Sequence, residues 1–222
     1  MIDAHFHRNV YDTFLTVDGK EYRFYGIHPW QCASLAAGDS EALRLCASAL
    51  KDDPHAGVGE IGLDRLKTRE VSPVQREIFA LCLALAAELH RPVVLHGAKC
   101  WGEVVKACKP YAGKIPAFLF HGFSRSGGLL PDICALNGFV SVGPAVLNDH
   151  AVNYRELVKE IPLERLLVET DVDVGRCDGE GAAATPSAEA VLKGTAAVRG
   201  MDAAELEGVV AANARHFVES LA

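Results

Sequence analysis

Short apolar runs rich in β-branched and aromatic residues recur along the whole chain, and most are separated by stretches with helical periodicity. The runs at residues 1–7, 13–17, 23–28, 56–62, 92–96, 117–121, 139–143 and 166–171 predict eight strands. The helices between them carry recognisable starts: Ser72 with Gln75, and Asp202 with Glu205, have capping-box spacing, and Pro73 occupies a first-turn position. Alternating strands and helices predict an α/β fold with a largely parallel sheet, and eight strands predict a TIM-type (β/α)8 barrel. One interval breaks the rhythm. Residues 8–23 are too few for two β/α units, and Asp18-Gly19 signals a tight hairpin. The expected barrel is therefore shortened or distorted near its second strand. Gly175 to Pro186 reads as a long flexible loop, and no linker interrupts residues 1–222, which predicts a single domain.

Composition narrows the function classes. Half of the 222 residues are hydrophobic, enough for one large core. With 22 basic against 29 acidic residues the net charge is -7, so any contact with nucleic acid must be local rather than spread over a basic surface. The longest apolar run, Ile78 to Ala87, is ten residues, against the roughly 20 needed to cross a bilayer, which predicts no membrane span. No signal peptide is visible at the start, so the cytoplasm is the expected location. Seven cysteines without a CxxC pair argue against a zinc knuckle or a disulfide framework.

The histidines carry the chemistry. Of nine, His5, His7, His28, His96 and His121 fall at or beside the ends of predicted strands, as do Glu60 and Asp171. In a (β/α)8 barrel these ends converge on the face that builds the active site. His5 and His7, two apart on a strand, point to the same side and can reach one ion. With Glu60, His96, His121 and Asp171 the set holds four imidazoles and two carboxylates, ligand types suited to zinc and similar divalent ions. Six protein ligands exceed the usual three of a catalytic zinc, so two divalent ions (zinc, manganese or magnesium) are expected, bridged by Glu60.

Gly57, Gly59 and Gly62 spell a GxGxxG pattern, but residues 51–55 are polar and no clear helix opens after it, so no nucleotide cofactor is expected. Those glycines instead predict close backbone packing inside the barrel.

Taken in order, MIDAHFH, GIHPW, GEIGLD, PVVLH, HGFS and VETD resemble the motif series of TatD-type metal-dependent hydrolases, and the likeness runs from Ile2 to about Phe217. The resemblance implies a (β/α)8 barrel, a divalent-metal site and phosphodiester hydrolysis of DNA. It carries His5, His7 and Asp171 to one ion, His96 and His121 to a second, and Glu60 to both. Three rim positions depart from the family pattern: the short stretch between His7 and Gly26, Lys99 where an arginine is common, and Val172-Asp173 after ETD.

The expected enzyme is thus a metal-dependent hydrolase of phosphoester bonds, a deoxyribonuclease first of all, with Asp171 and Glu60 as its catalytic carboxylates. Asp171 is expected to orient the attacking water and take its proton. His28, Arg65, Lys99 and Arg125 are the candidate substrate contacts, with Lys67 and Arg69 near Arg65, and Trp30 and Trp101 as possible base-stacking platforms. The rival enzyme is an amidohydrolase-like one acting on a small cyclic amide or ester, since the same ions would activate water toward a carbonyl. A non-catalytic metal-binding barrel is the third alternative.

Overall fold

The computed structural model describes residues 2–8, 11–35, 40–67, 69–124, 127–173 and 186–221. Its eight strands form one sheet in sequence order: β1 (Asp3–His7), β2 (Thr13–Val17), β3 (Lys20–Tyr25), β4 (Gly57–Asp64), β5 (Val93–Ala98), β6 (Phe118–Phe120), β7 (Gly138–Val142) and β8 (Leu166–Val168). From β3 to β8 every neighbouring pair is parallel. β2 runs against both β1 and β3. The second β/α unit of the barrel is replaced by this hairpin, whose two-residue turn, Asp18-Gly19, has both residues at positive φ as a type I′ turn requires. The chain thereby returns to the barrel mouth in a few residues where a helical crossover would need a dozen or more.

The sheet closes on itself beyond β8. The Asp171 amide donates to the His5 carbonyl at 3.0 Å and the His7 amide donates to the Val172 carbonyl at 2.7 Å. Asp3 fastens the same seam: its carboxylate accepts from the Thr170 amide at 2.9 Å and from the Thr170 hydroxyl at 2.6 Å.

Outside lie α1 (Ser40–Asp52), α2 (Pro73–Leu89), α3 (Trp101–Cys108), α4 (Leu130–Ala135), α5 (Val152–Glu160), α6 (Ala188–Arg199) and α7 (Ala203–Val218). The expected helix starts hold. Ser72 accepts from the Gln75 amide at 3.1 Å, and Asp202 accepts from the amides of Ala204 and Glu205. The core fills with large side chains, among them Phe24, Phe118, Phe120, Phe139 and Phe217.

β4 is buried along its whole length, which explains its glycines. Gly62 sits at φ +147, and a Cβ there would run into the His96 carbonyl; one on Gly57 would run into the Phe24 ring. Close backbone packing is what the glycines of this stretch permit. Strand limits differ from the sequence pattern at the mouth: β3 ends at Tyr25, β6 at Phe120 and β8 at Val168, so His28, His121 and Asp171 stand on the segments just beyond. The loop expected at 175–186 lies, save for Pro186, outside the described residues.

Candidate metal centre

Side-chain alternation along β1 turns His5 and His7 to the same face, and β4 and β5 bring Glu60 and His96 to it from neighbouring strands. The segments after β6 and β8 add His121 and Asp171. All six expected residues meet at the carboxylate of Glu60, or one step from it.

The two oxygens of Glu60 face different partners. Oε2 lies 3.4 Å from His5 Nε2 and 3.6 Å from His7 Nε2, and Asp171 Oδ1 lies 3.6 Å from each of those nitrogens. His5 Nε2 and His7 Nε2 are 3.0 Å apart. Oε1 lies 2.6 Å from His96 Nδ1 and 2.8 Å from His121 Nε2, which are 3.5 Å from each other. Donors held about 2.0–2.1 Å from one tetrahedral ion stand roughly 3.3 Å apart, which the atoms around Glu60 Oε2 approach, while His96 and His121 stand at hydrogen-bond distance from Oε1.

Ring orientation agrees. His7 Nδ1 donates to the Asp12 carbonyl at 3.0 Å, which leaves the lone pair of Nε2 aimed at the centre. His96 Nε2 donates to Asp64 Oδ2 at 3.0 Å, which leaves Nδ1 as its inward atom. His5 Nδ1 and His121 Nδ1 are buried and make no hydrogen bond. The nearest acid to His121 Nδ1 is Glu169 Oε1 at 3.7 Å. Among the described residues three triads place their ligand atoms within 4.8 Å of one another: His5 with Glu60 and His121, His5 with His7 and Asp171, and His28 with Glu60 and His96. The donor set therefore fits divalent metal, with Glu60 in two of the three triads.

The charges are coupled across the whole set. Burial opposes ionisation of Glu60, yet His121 and His96 outweigh it and hold the carboxyl well below its usual range. Burial also opposes charge on His121, and Glu60 with Glu169 raises that imidazole well above its usual range. His5, fully enclosed and next to His121, is pushed down. Asp171 is held low, since hydrogen bonding to His7 and the charges of His121 and His5 overcome its burial. Its side chain is 49% exposed, against 0% for His5 and 3% for Glu60. Asp171 is thus the ionised group that faces out of the centre.

The candidate substrate contacts separate. His28 is buried, and its Nδ1 accepts from the Trp30 amide at 3.1 Å. A neutral His28 therefore carries its proton on Nε2, which lies 3.4 Å from Glu60 Oε1. Arg65 lies 3.5 Å from Glu103, which also binds Arg76. Lys99 is exposed, on left-handed backbone at φ 57. Arg125 lies outside the described residues. Lys67 places its Nζ 4.2 Å from the Trp30 ring centre, and the Trp30 ring stands 4.7 Å from that of His28. Trp101 is buried against Phe120 and Phe123, a core position rather than a platform. Beside Trp30 a cleft of about 520 Å³ opens between the hairpin and α1, bordered by Tyr11, Tyr25, Gln31 and Leu45.

Two further buried carboxylates, Asp64 and Glu169, support the centre from outside the six. Asp64 receives His96, and Glu169 accepts from the Gly122 amide at 2.8 Å and bonds the Ser141 hydroxyl. The signal for Asp64 was its place four residues after Glu60 on one strand, hence on the same face. For Glu169 it was a position two before Asp171 in VETD.

The family model described as TatD related DNase matches residues 2–219. The chain belongs to that family. Among its relatives, the Klebsiella pneumoniae protein named 3'-5' ssDNA/RNA exonuclease TatD is 33% identical over 147 residues, 66% of this chain and 55% of that protein. The Bacillus subtilis protein YabD, named an uncharacterized metal-dependent hydrolase, is 29% identical over 150 residues, 68% of this chain and 58% of that one. The chain thus matches a little over half the length of these curated relatives. Among solved structures, the TatD homologue YjjV of Escherichia coli superimposes with a TM-score of 0.73 at 25% identity, covering 88% of this chain and 76% of that one. A TatD family hydrolase from Entamoeba histolytica, at 18% identity and TM-score 0.69, shares the fold. Among the described residues no helix is long and apolar enough to cross a membrane.

Proposed function

We propose that this chain is a divalent-metal-dependent phosphodiesterase acting on nucleic acid, with single-stranded DNA as its foremost substrate and residues 1–222 as one catalytic domain. The observation that carries the proposal is the sharing of Glu60, whose Oε2 faces His5 and His7 while Oε1 faces His96 and His121. The exonuclease name of the Klebsiella relative supports the substrate class.

His5, His7 and Asp171 would hold one ion, His96 and His121 a second, and Glu60 both; zinc suits this imidazole-rich set best, while manganese and magnesium prefer oxygen donors. Bound there, the ions supply activation of water and neutralisation of charge on the phosphoryl oxygens and leaving group. The remaining work falls to the chain. Asp171 Oδ1, ionised and half exposed, orients the attacking water and receives its proton. His28, with Nε2 3.4 Å from Glu60 Oε1, stands where it can steady that carboxylate. Lys67 and Lys99 offer cations to the backbone phosphates, and the cleft bordered by Tyr11 and Trp30 offers aromatic edges to a base. A reducing cytoplasm suits the six free cysteines of the described residues, five of them buried.

The test uses metal-stripped protein reloaded with zinc, manganese or magnesium and presented with single-stranded DNA, duplex DNA, RNA and a chromogenic phosphodiester. Glu60→Gln, purified identically, is the blank. Metal-dependent cleavage by the wild type alone supports the proposal. Equal cleavage by the blank, or turnover of cyclic amides and esters only, overturns it.

A further inference from the structure

Asp64 is an acid at the end of β4, 1% exposed, and among the described residues three N–H groups converge on it. The Trp30 indole Nε1 donates to Oδ2 at 2.7 Å, His96 Nε2 donates to the same oxygen at 3.0 Å, and the Lys67 amide donates to Oδ1 at 2.8 Å. The Asp64 amide itself donates to the Gln75 side chain of α2 at 3.0 Å, which fixes the residue from behind. A carboxylate can only accept, so it dictates which nitrogen of His96 carries a proton. With Nε2 committed to Asp64, Nδ1 is the atom turned to Glu60, 2.6 Å away.

The same oxygen that orients His96 also holds Trp30, and Lys67 rests on Trp30 while its own amide is bound to the other oxygen. One buried side chain therefore spans the candidate centre and its rim. We propose that Asp64 is a positioning residue with two attachments: it presets His96 as an Nδ1 ligand, and it ties that ligand to the Trp30–Lys67 rim, so that occupancy of the His96 half is transmitted to the substrate-facing surface. The proposal rests on the reading of the centre as a metal site and adds to it a named link between metal and rim. Removing an outer partner of a ligating histidine usually weakens metal binding by about 10- to 100-fold.

The experiment compares wild type, Asp64→Asn, Asp64→Ala and Trp30→Phe as full-length chains, each checked by thermal melting. Zinc uptake is followed by calorimetry and the two tryptophan indole N–H signals by NMR, with Trp101 as the reference. In Asp64→Ala one of two zinc equivalents should bind about 10- to 100-fold more weakly while the other changes by less than about threefold. Asp64→Asn, which keeps the volume and one acceptor, should fall between this variant and wild type, and it carries the test if the alanine variant does not fold. Trp30→Phe should bind both equivalents like wild type, because it spares the Asp64–His96 bond. The Trp30 indole signal should move on zinc loading of the wild type and stay still in Asp64→Ala.

Wild-type affinity for both equivalents in the folded Asp64 variants would overturn the inference. So would equal weakening in Trp30→Phe, since Asp64 would then act through rim packing, and so would a Trp30 signal indifferent to zinc in the wild type. A wild type that takes up no ion would instead strike at the metal reading itself, which is a different failure and is visible before any variant is compared.

Discussion

Glu60 Oε1 and His121 Nε2 lie 2.8 Å apart, both side chains enclosed, and each holds the other charged against the cost of burial. Such a pair, with His96 on the same oxygen, is an arrangement a cation can enter by displacing protons. In Glu60→Gln the shared anion is gone, so uptake should fall from two ions to one at most and turnover by at least about 10²-fold, the low end of what a positioned catalytic group contributes. Elemental analysis and a phosphodiester assay on one sample would check both.

Asp171→Asn tests the outward-facing acid. The residue sits at φ 51, a left-handed conformation that asparagine tolerates, and its amide bond to His5 does not involve the side chain. The fold should persist, with melting unchanged within a few degrees. Turnover should fall by about 10²-fold or more, because the proton acceptor is lost. A folded, metal-loaded variant with more than about a tenth of wild-type turnover would remove Asp171 from the chemistry.

Salt should discriminate among the rim cations. Each phosphate of a single strand neutralised by the protein contributes about 0.7 to the slope of log affinity against log salt. Lys67→Ala and Lys99→Ala should each lower the slope by about that amount. Arg65→Ala should change it less, since Arg65 already lies 3.5 Å from Glu103. Fluorescence titration of a labelled oligonucleotide at several salt concentrations provides the comparison.

The metal-free protein should carry a pH signature at the barrel seam. Burial pushes the Asp3 carboxyl up to about 6, although the hydroxyl and amide of Thr170 pull the other way. Its folded pKa lies above the unfolded value near 3.9, so the native state binds the proton more tightly. That stability is fully present below about pH 4 and is lost as pH rises through about 6, by up to roughly 3 kcal/mol. Asp3→Asn mimics the protonated form. Chemical denaturation of the chelated proteins should show wild type losing ground to Asp3→Asn between pH 4 and 7; parallel curves would contradict the assignment.

The barrel was legible because its strands are short apolar runs bounded by turns, and because Asp18-Gly19 marks a hairpin where a crossover helix would not fit. His5 and His7 were legible through strand alternation, and Glu60 through its place in an apolar run. Pairings that depend on which loops become neighbours were not. The approach of Arg65 to Glu103 requires the ends of β4 and the start of α3 to meet, and no local pattern encodes that. Asp64 escaped notice because it is the final residue of its run, where a carboxylate usually begins a solvated loop; three converging donors hold it inside instead. β8 ends at Val168, and Asp171 beyond it, at positive φ, bonds through its amide to the His5 carbonyl as the chain closes the barrel against β1.

The most direct measurement is anomalous X-ray diffraction from crystals loaded with zinc or manganese. The expected result is two peaks per chain, about 3.5–4 Å apart, one beside His5, His7 and Asp171, the other beside His96 and His121, with Glu60 between them. A single peak that Glu60 does not contact, or ions bound only away from these six residues, would contradict the shared-carboxylate centre and the hydrolase built on it.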